Sequence, residues 1–424
     1  MSGDVRATRE AVEAVWRIES ARLLGGLVRL VRDVALAEDL AQEALLVALE
    51  RWPRAGIPEN PGAWLMATAR NRAVDQMRWR AMRLRKQDAL AQESSVEPAT
   101  RPGLEAALDD DVGDDLLRLI LIACHPVLST EARAALTLRL VGGLTTGEIA
   151  RAFLVPEPTI AQRIVRAKRT LAEARVPFEV PRGVDLSARL ASVLEVVYLV
   201  FNEGYTATKG DDWTRPELCD EALRLGRVLA ELTPEEAEVH GLVALMELQA
   251  SRLRARVGPS GEPILLLDQD RSRWDQLLVQ RGLAALARAE ALRRPLGPYT
   301  LQAAIAGCHA RARSAAETDW LRIVALYDGL AEVTRSPVVE LNRAVAVSMA
   351  FGPAAGLELA DALADEPTLS RYHLLPAIRG DLLAKLGRRE EACAELERAA
   401  ALAQNARERE LLLARARECG ATRP

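Results

Sequence analysis

Residues 144–174 read LTTGEIARAFLVPEPTIAQRIVRAKRTLAEA. Thr145 followed by Glu148 is a capping box, so a helix starts here. Ile149, Ala150 and Phe153 or Leu154 are spaced to pack inside. The run Val155-Pro156-Glu157-Pro158 stops that helix, because proline disfavours helical backbone in the residue before it. Pro158 can then open the next helix. There Ile160, Ile164, Ala167 and Leu171 form a buried stripe, with Thr159, Gln162, Arg163, Arg166 and Arg169 on the opposite face. Two short helices, a tight turn and a basic second helix match a DNA-reading helix-turn-helix. Gln and Arg near the start of such a helix can bond adenine or guanine bidentately. Many helix pairs mimic the pattern, so the rest of the chain has to decide.

Upstream, residues 36–51 read LAEDLAQEALLVALER. Leu40, Ala44, Val47 and Ala48 make the apolar stripe. Asp39, Gln42 and Glu43 sit at i, i+3 and i+4 and share a different face. That face suits either plain solvation or a partner. Residues 60–83 read NPGAWLMATARNRAVDQMRWRAMR. Asn60 is a good N-cap and Pro61 suits the first helical position. Leu65, Ala69, Ala73 and Met77 would face the core, with Trp64, Thr68, Asn71, Asp75 and Arg78 on another face. Seven basic residues follow Ala69 (Arg70, Arg72, Arg78, Arg80, Arg83, Arg85 and Lys86), with Asp75 the only acid among them. An exposed Trp64 among arginines would suit single-stranded nucleic acid, where a base stacks and guanidinium groups meet phosphates. A buried Trp64 beside an ordinary charged face is the alternative.

The two segments are separated by residues 88–115, which hold nine acidic residues against one basic residue, Arg101. Pro98, Pro102 and Gly103 interrupt them, as in a linker. Its roughly 30 residues could span ~100 Å when extended. The whole chain has 424 residues, 49% hydrophobic and 27% charged, and only 4% aromatic. That balance, rich in Ala, Leu and Arg, predicts an all-α globular protein. The net charge of −4 is unusual for a free-standing DNA binder, so nucleic-acid contact needs local basic faces or a partner. The polar N-terminus and the lack of any long apolar run predict a cytoplasmic protein with no membrane contact.

Residues 186–420 read as amphipathic helices broken by Gly and Pro. Gly380, Leu383, Ala392, Leu396 and Ala399 carry a tetratricopeptide-like spacing, with GRREEA as the turn. Ala344, Val347, Gly356, Ala360 and Leu363 repeat it 36 residues upstream. The repeat reading starts at about residue 299; generic helical hairpins would give similar spacing.

Taken in order, AEDLAQEALLVALERW, NPGAWLMATARNRAVDQMR, the acidic linker and STEARAALTLRLVGGLTTGEIARAFLVPEPTIAQRIVRAKRTL resemble the sigma-70 family of RNA polymerase sigma factors, in its extracytoplasmic-function class. The resemblance covers about residues 10–175. It implies sigma region 2 at 10–86, the acidic linker at 87–115 and sigma region 4 at 116–176. LVFNEGYTAT at 199–208 and SPVVELNRAVAV at 336–347 resemble a subgroup with a C-terminal tetratricopeptide-like extension.

The implied fold is two small helical sigma modules followed by an α-helical repeat domain at 186–420. The implied partners are core RNA polymerase, through the β′ clamp helices and the β subunit, and promoter DNA. Asp39, Gln42 and Glu43 would bind the clamp helices. The loop from Pro53 to Asn60, with Asn71, would read an extruded base of the −10 element, and Trp64, Arg72 and Arg78 would support the melted strand. Thr159, Gln162, Arg163, Arg166 and Arg169 would meet the −35 element. The double-proline turn departs from the usual Gly-containing turn of the family, which leaves its base contacts open. A cytoplasmic protein or peptide would occupy the C-terminal groove.

A helix-turn-helix regulator with a sensor repeat domain is the alternative, although it needs neither the acidic face nor the Trp64–Asn71 helix. An enzyme is not expected: Glu203, Tyr205, Lys209 and Asp211 cluster in FNEGYTATKGDDW, but a turn centred on Gly204 explains the segment. The five cysteines form no CxxC pair, so no disulfide framework is expected. The doublets Cys124-His125 and Cys308-His309 are poorly spaced for structural zinc. No metal and no cofactor are expected. LLLDQDRSRWDQ at 265–276 reads as a helix start capped by Asp270 or Ser272.

Overall fold

A computed structural model describes residues 2–89, 112–181, 183–206, 214–259 and 261–420. Its named elements are all helical, with no strand among the described residues, so the all-α expectation holds. Lys209, Asp211 and most of the acidic linker lie outside those residues. The chain divides into two compact units, residues 1–196 and 197–424.

The first unit begins with α1 (Ser2–Val31), α2 (Val34–Ala55) and α3 (Pro61–Ala89). Leu23, Leu24, Leu27 and Val28 of α1 are buried, as are Ala37, Leu40, Ala41, Ala44 and Ala48 of α2 and Leu65, Ala69 and Ala73 of α3. The alanine stripe of α2 lets neighbouring helices approach closely. Asp33 fixes its start, accepting hydrogen bonds from the N–H groups of Ala35 at 2.9 Å and Leu36 at 3.1 Å. At the other end α2 passes through Pro53 and stops at Gly56, whose φ of +82° suits glycine. The loop expected to begin at Pro53 therefore begins at Gly56. Asn60 caps α3 as expected, accepting from Ala63 N–H at 3.0 Å.

The second module is built from α4 (Val112–Ala123), α5 (Thr130–Leu140), α6 (Thr146–Phe153) and α7 (Glu157–Glu173). Asp114 and Asp115, read as linker, belong to α4. Asp115 is buried and pairs with Arg29 of α1 at 3.2 Å and with Arg118. A Cβ on Gly25 would lie 2.8 Å from the Asp115 carbonyl oxygen, so α1 and α4 cross closely. The core here holds Leu119, Leu121, Leu136, Leu138, Ile149, Ile160 and Ile164.

Helix α8 (Val184–Tyr205) begins in the first unit and ends in the second. Its Ser192 Oγ donates to the Cys124 carbonyl at 2.6 Å, and Arg189 donates to the Leu121 carbonyl at 2.7 Å. Arg133 of α5 bonds Ser192 and pairs with Glu195 at 3.0 Å. Gly204 sits in the last turn of α8 rather than in a turn between helices. A Cβ there would meet Cys219 N at 2.7 Å, so the glycine permits a close approach of the next helix.

The second unit continues with α9 (Pro216–Leu232), α10 (Ala237–Ala250), α11 (Gln276–Ala291), α12 (Pro298–Arg311), α13 (Trp320–Thr334) and α14 (Pro337–Phe351). It ends with α15 (Pro353–Ala362), α16 (Leu374–Lys385), α17 (Arg389–Leu402) and α18 (Ala406–Gly420). Between α10 and α11 the chain makes short 3₁₀ turns. Helix α11 is capped by Asp275, which accepts from Leu277 N–H at 3.0 Å and Leu278 N–H at 3.1 Å. The expected cap, Asp270, instead closes a 3₁₀ turn by accepting from Ser272.

The 36-residue offset read in the sequence coincides with two hairpins, α14–α15 and α16–α17. A Cβ on Gly356 would lie 2.7 Å from the Ala344 carbonyl, and one on Gly380 would lie 3.1 Å from the Ala392 carbonyl. Each hairpin thus crosses at a Gly–Ala pair, with Leu357, Leu375, Leu382 and Leu383 buried beside the crossings.

Candidate protein and nucleic-acid interfaces

On α2 the side chains of Asp39, Gln42 and Glu43 are all exposed, while Leu40, Ala41 and Ala44 between them are buried. A helix that buries one stripe must present the i, i+3, i+4 set elsewhere as one surface. Glu43 is not independent of α3: its carboxylate pairs with Arg72, both side chains being about half exposed. The residue read for one interface therefore holds a residue read for the other.

One acid of this helix is not exposed. Glu38 is only 6% accessible. Its carboxylate accepts from Arg139 Nε of α5 at 3.1 Å, from Lys168 Nζ of α7 and from Gln42 Nε2 at 3.4 Å. Helices α5 and α7 of the second module both reach α2 at this group. Sequence reasoning passed over Glu38 although it lies in the apolar stripe with Ala41 and Ala48. A charge inside such a stripe was the available signal.

Helix α3 presents Asn71, Arg72, Asp75 and Arg78 to solvent. Trp64 is half-buried and meets Trp52 edge to face, with ring centroids 5.5 Å apart. It is not the exposed platform that the sequence suggested. The aromatic that α3 exposes is Trp79, at 55%. It stands beside Arg78 and was missed because Trp64 lay nearer the expected reading loop.

In the second module the capping box is present. Thr145 Oγ1 accepts from Glu148 N–H at 3.2 Å, and the Glu148 carboxylate accepts from Thr145 N–H at 2.7 Å. Helix α6 stops at Leu154, which adopts φ +48° and ψ +48°. A left-handed leucine takes the place of the glycine usual in such turns, and its side chain is 50% exposed rather than packed inside. Pro158 sits in the first turn of α7, as expected.

Ile160, Ile164, Ala167 and Leu171 are buried. Gln162, Arg166 and Arg169 are exposed, and Thr159 and Arg163 are half-buried. Arg169 pairs along its own helix with Glu173 at 2.7 Å. Arg163 faces Glu131 on α5. Hydrogen bonds from that residue's own N–H and from Ser129 hold the Glu131 carboxyl below its usual range, and the charge of Arg163 adds to them. The clear outward cation on α7 is Arg166. Among the described residues no group of His, Cys, Asp and Glu is arranged to hold a metal ion.

Comparison with known proteins places names on these modules. Residues 18–83 match the family described as Sigma-70 region 2, and residues 118–171 match Sigma-70 region 4. Residues 189–290 match a family of unknown function, DUF6596. The ECF RNA polymerase sigma factor SigL of Mycobacterium tuberculosis is 31% identical over 172 residues, 40% of this chain and 92% of that protein. The chain belongs to the ECF RNA polymerase sigma factors.

The probable ECF sigma factor SigI of the same species is 30% identical over 174 residues, 39% of this sigma factor and 56% of SigI. The likeness to these two is confined to about two-fifths of the chain. The uncharacterized protein R00370 of Rhizobium meliloti is 45% identical over 387 residues, covering 91% of this sigma factor and 90% of the relative. That relative therefore shares the long C-terminal part as well. No helix among the described residues is long and apolar enough to cross a membrane.

Proposed function

We propose that this sigma factor binds core RNA polymerase through Asp39, Gln42 and Glu43 and directs transcription initiation at promoters read by α3 and α7. The observation that carries the reading is the exposed polar trio on an otherwise alanine-packed α2, beside the cationic face of α3. In this reading Asn71 and Arg78, with Trp79 as the stacking surface, handle the −10 element. Arg72 joins them once Glu43 exchanges it for polymerase. Thr159, Gln162, Arg163, Arg166 and Arg169 face the −35 element.

Two DNA elements about two helical turns apart lie ~70 Å from each other. The Glu38 contact holds the modules at ion-pair distance, so promoter engagement breaks it. The net charge of −4 fits a factor whose DNA affinity depends on polymerase.

The test is a pull-down of core polymerase by the full chain. Asp39→Lys with Glu43→Lys abolishes capture while leaving the fold intact, because exposed substitutions change stability by about 0.5 kcal/mol or less. Undiminished capture refutes the reading.

The C-terminal helices, read as a tetratricopeptide-like stack, set the activity of the sigma modules in cis. Helical repeats present continuous grooves suited to a peptide or a partner helix. Gly356→Val probes this, because a Cβ there would meet Ser348 Cβ at 2.4 Å and force α14 and α15 apart. Promoter output then changes in level or in inducibility while polymerase capture persists. Unchanged output from a variant whose hairpin has melted removes the regulatory role.

A further inference from the structure

All five cysteines are free thiols. Cys124, Cys219 and Cys308 are buried among the helices. Burial pushes the Cys124 thiol up to about 11 and the Cys219 thiol up to about 12. Thiols sealed in this way are inert, because the thiolate is the reacting form. Cys393 and Cys419 are the two that keep solvent access. They belong to one helical hairpin, on α17 and α18 respectively.

The Cys393 thiol reaches across that hairpin. It donates to the Ala416 carbonyl at 3.3 Å, and its sulfur would lie 3.8 Å from a Cβ on Gly420. Residues three and four apart on a helix are surface neighbours, with Cβ atoms about 5–6 Å apart. Position 416 thus has 419 and 420 as its neighbours one turn on. The Cys393 sulfur stands against 416 and 420, and Cys419 completes the set. Both cysteines pack on one apolar cluster that includes Leu396, Ala399, Leu412 and Ala416.

Two features allow the sulfurs to meet. Each thiol has staggered χ1 positions to turn through. Cys419 also lies in the last turn of α18, and helix ends fray, so its backbone can yield. Desolvation, Glu397 and the charge of Cys419, in that order, push the Cys393 thiol up. Attack needs the thiolate, so the pair answers a sustained oxidant and answers faster as pH rises.

We propose that Cys393 and Cys419 are a redox pair that closes to a disulfide and staples α17 to α18, with hydrogen peroxide as the oxidant. One thiol loses its proton and attacks a peroxide oxygen. The O–O bond breaks, leaving a sulfenic acid and one water. The other thiol attacks that sulfur, the S–O bond breaks, and a second water leaves with the thiol proton. Two thiols and one peroxide become one disulfide and two waters, the sulfurs giving up two electrons to the peroxide oxygens. A dithiol reductant reverses the bond by exchange and becomes a disulfide itself. The sigma modules hold a single cysteine, the buried Cys124, so the device belongs to the C-terminal unit. It is independent of the polymerase and promoter surfaces.

The test treats the full-length protein under native conditions with hydrogen peroxide, blocks remaining thiols with N-ethylmaleimide, and maps tryptic peptides without reduction. The intact monomer loses two hydrogens, and the peptides carrying Cys393 and Cys419 appear joined. Dithiothreitol separates them. The oxidised protein unfolds at a higher temperature, since the bond restricts the unfolded chain. Cys393→Ser and Cys419→Ser each abolish the mass loss and the gain in unfolding temperature. Should Cys393→Ser fail to fold, Cys419→Ser, in the terminal turn, decides alone. The proposal is overturned if both thiols survive, if they gain oxygen without joining, or if either joins another cysteine or another molecule.

Discussion

Replacing Glu38 by Gln tests how much the buried Glu38 carboxylate adds to the contact between the two sigma modules, beside the buried Asp115–Arg29 pair. The substitution keeps the shape and removes the charge that Arg139 and Lys168 share. At 3–4 Å and an effective dielectric near 20, each ion pair is worth ~4–5 kcal/mol before solvation. Desolvating Glu38 offsets several kcal/mol of this, and removing one partner of a fully buried pair costs ~3–5 kcal/mol. Here the Arg139 and Lys168 side chains keep 23% and 18% of their exposure and can rehydrate. The expected loss is therefore about 2–3 kcal/mol. Urea unfolding of the full chain measures it. A double-mutant cycle with Lys168→Met assigns about 1 kcal/mol or more of coupling to the pair. In the proposed reading promoter engagement breaks this contact, so Glu38→Gln also raises promoter affinity of the polymerase-bound factor. An unfolding midpoint unchanged within error, with no coupling to Lys168, would refute the closed contact as a source of stability.

Trp79→Ala lowers the affinity of the polymerase-bound factor for melted promoter DNA by about 1–3 kcal/mol, measured on forked templates. Trp64→Ala instead lowers the unfolding temperature, since its ring packs on Trp52. Arg166→Ala weakens promoter use by about 1–3 kcal/mol and only on templates that retain the −35 element; equal loss on templates lacking it contradicts the assignment. Burial, with Arg252 and Arg271 facing it, lowers the His309 pKa from 6.5 to about 4. The unfolded chain takes up that proton near pH 6.5 and the folded chain does not. This contribution is therefore complete above pH 6.5 and lost as pH falls toward 4, totalling on the order of 3 kcal/mol. His309→Asn flattens that part of the pH–stability curve, and an unaltered slope contradicts the buried neutral imidazole.

What the sequence disclosed was local. The Thr145–Glu148 box, the stop at Val155–Pro156 and the stripe Ile160, Ile164, Ala167 and Leu171 depend on neighbours a few residues away, and each is present. The α2 trio was legible for the same reason. What escaped depends on partners far along the chain. Glu38 meets Arg139 and Lys168 across 101 and 130 residues. The burial of Trp64 depends on Trp52, which belongs to another helix. Gly204 looked like a turn because glycine breaks helices in isolation. It is helical, and the N-terminus of α9 comes so close that only a missing Cβ fits. Asp270 and Asp275 are equally good caps by composition. In the fold Asp275 opens the long helix and Asp270 only a 3₁₀ turn, with the buried Trp274 between them.

Helix α8 was described as contributing Arg189 and Ser192 to the end of α4. Those two side chains satisfy the carbonyls of Leu121 and Cys124, acceptors that a helix terminus otherwise leaves stranded. The second sigma module is therefore not finished when helix α7 has been made. A gene shortened at the proline-rich junction near Pro177 would encode a second sigma module with an open seam, its Arg133 deprived of both Ser192 and Glu195. Inheritance of the tail is in this sense compulsory. Loss of the first helix of the extension leaves the floor of the second sigma module to be rebuilt.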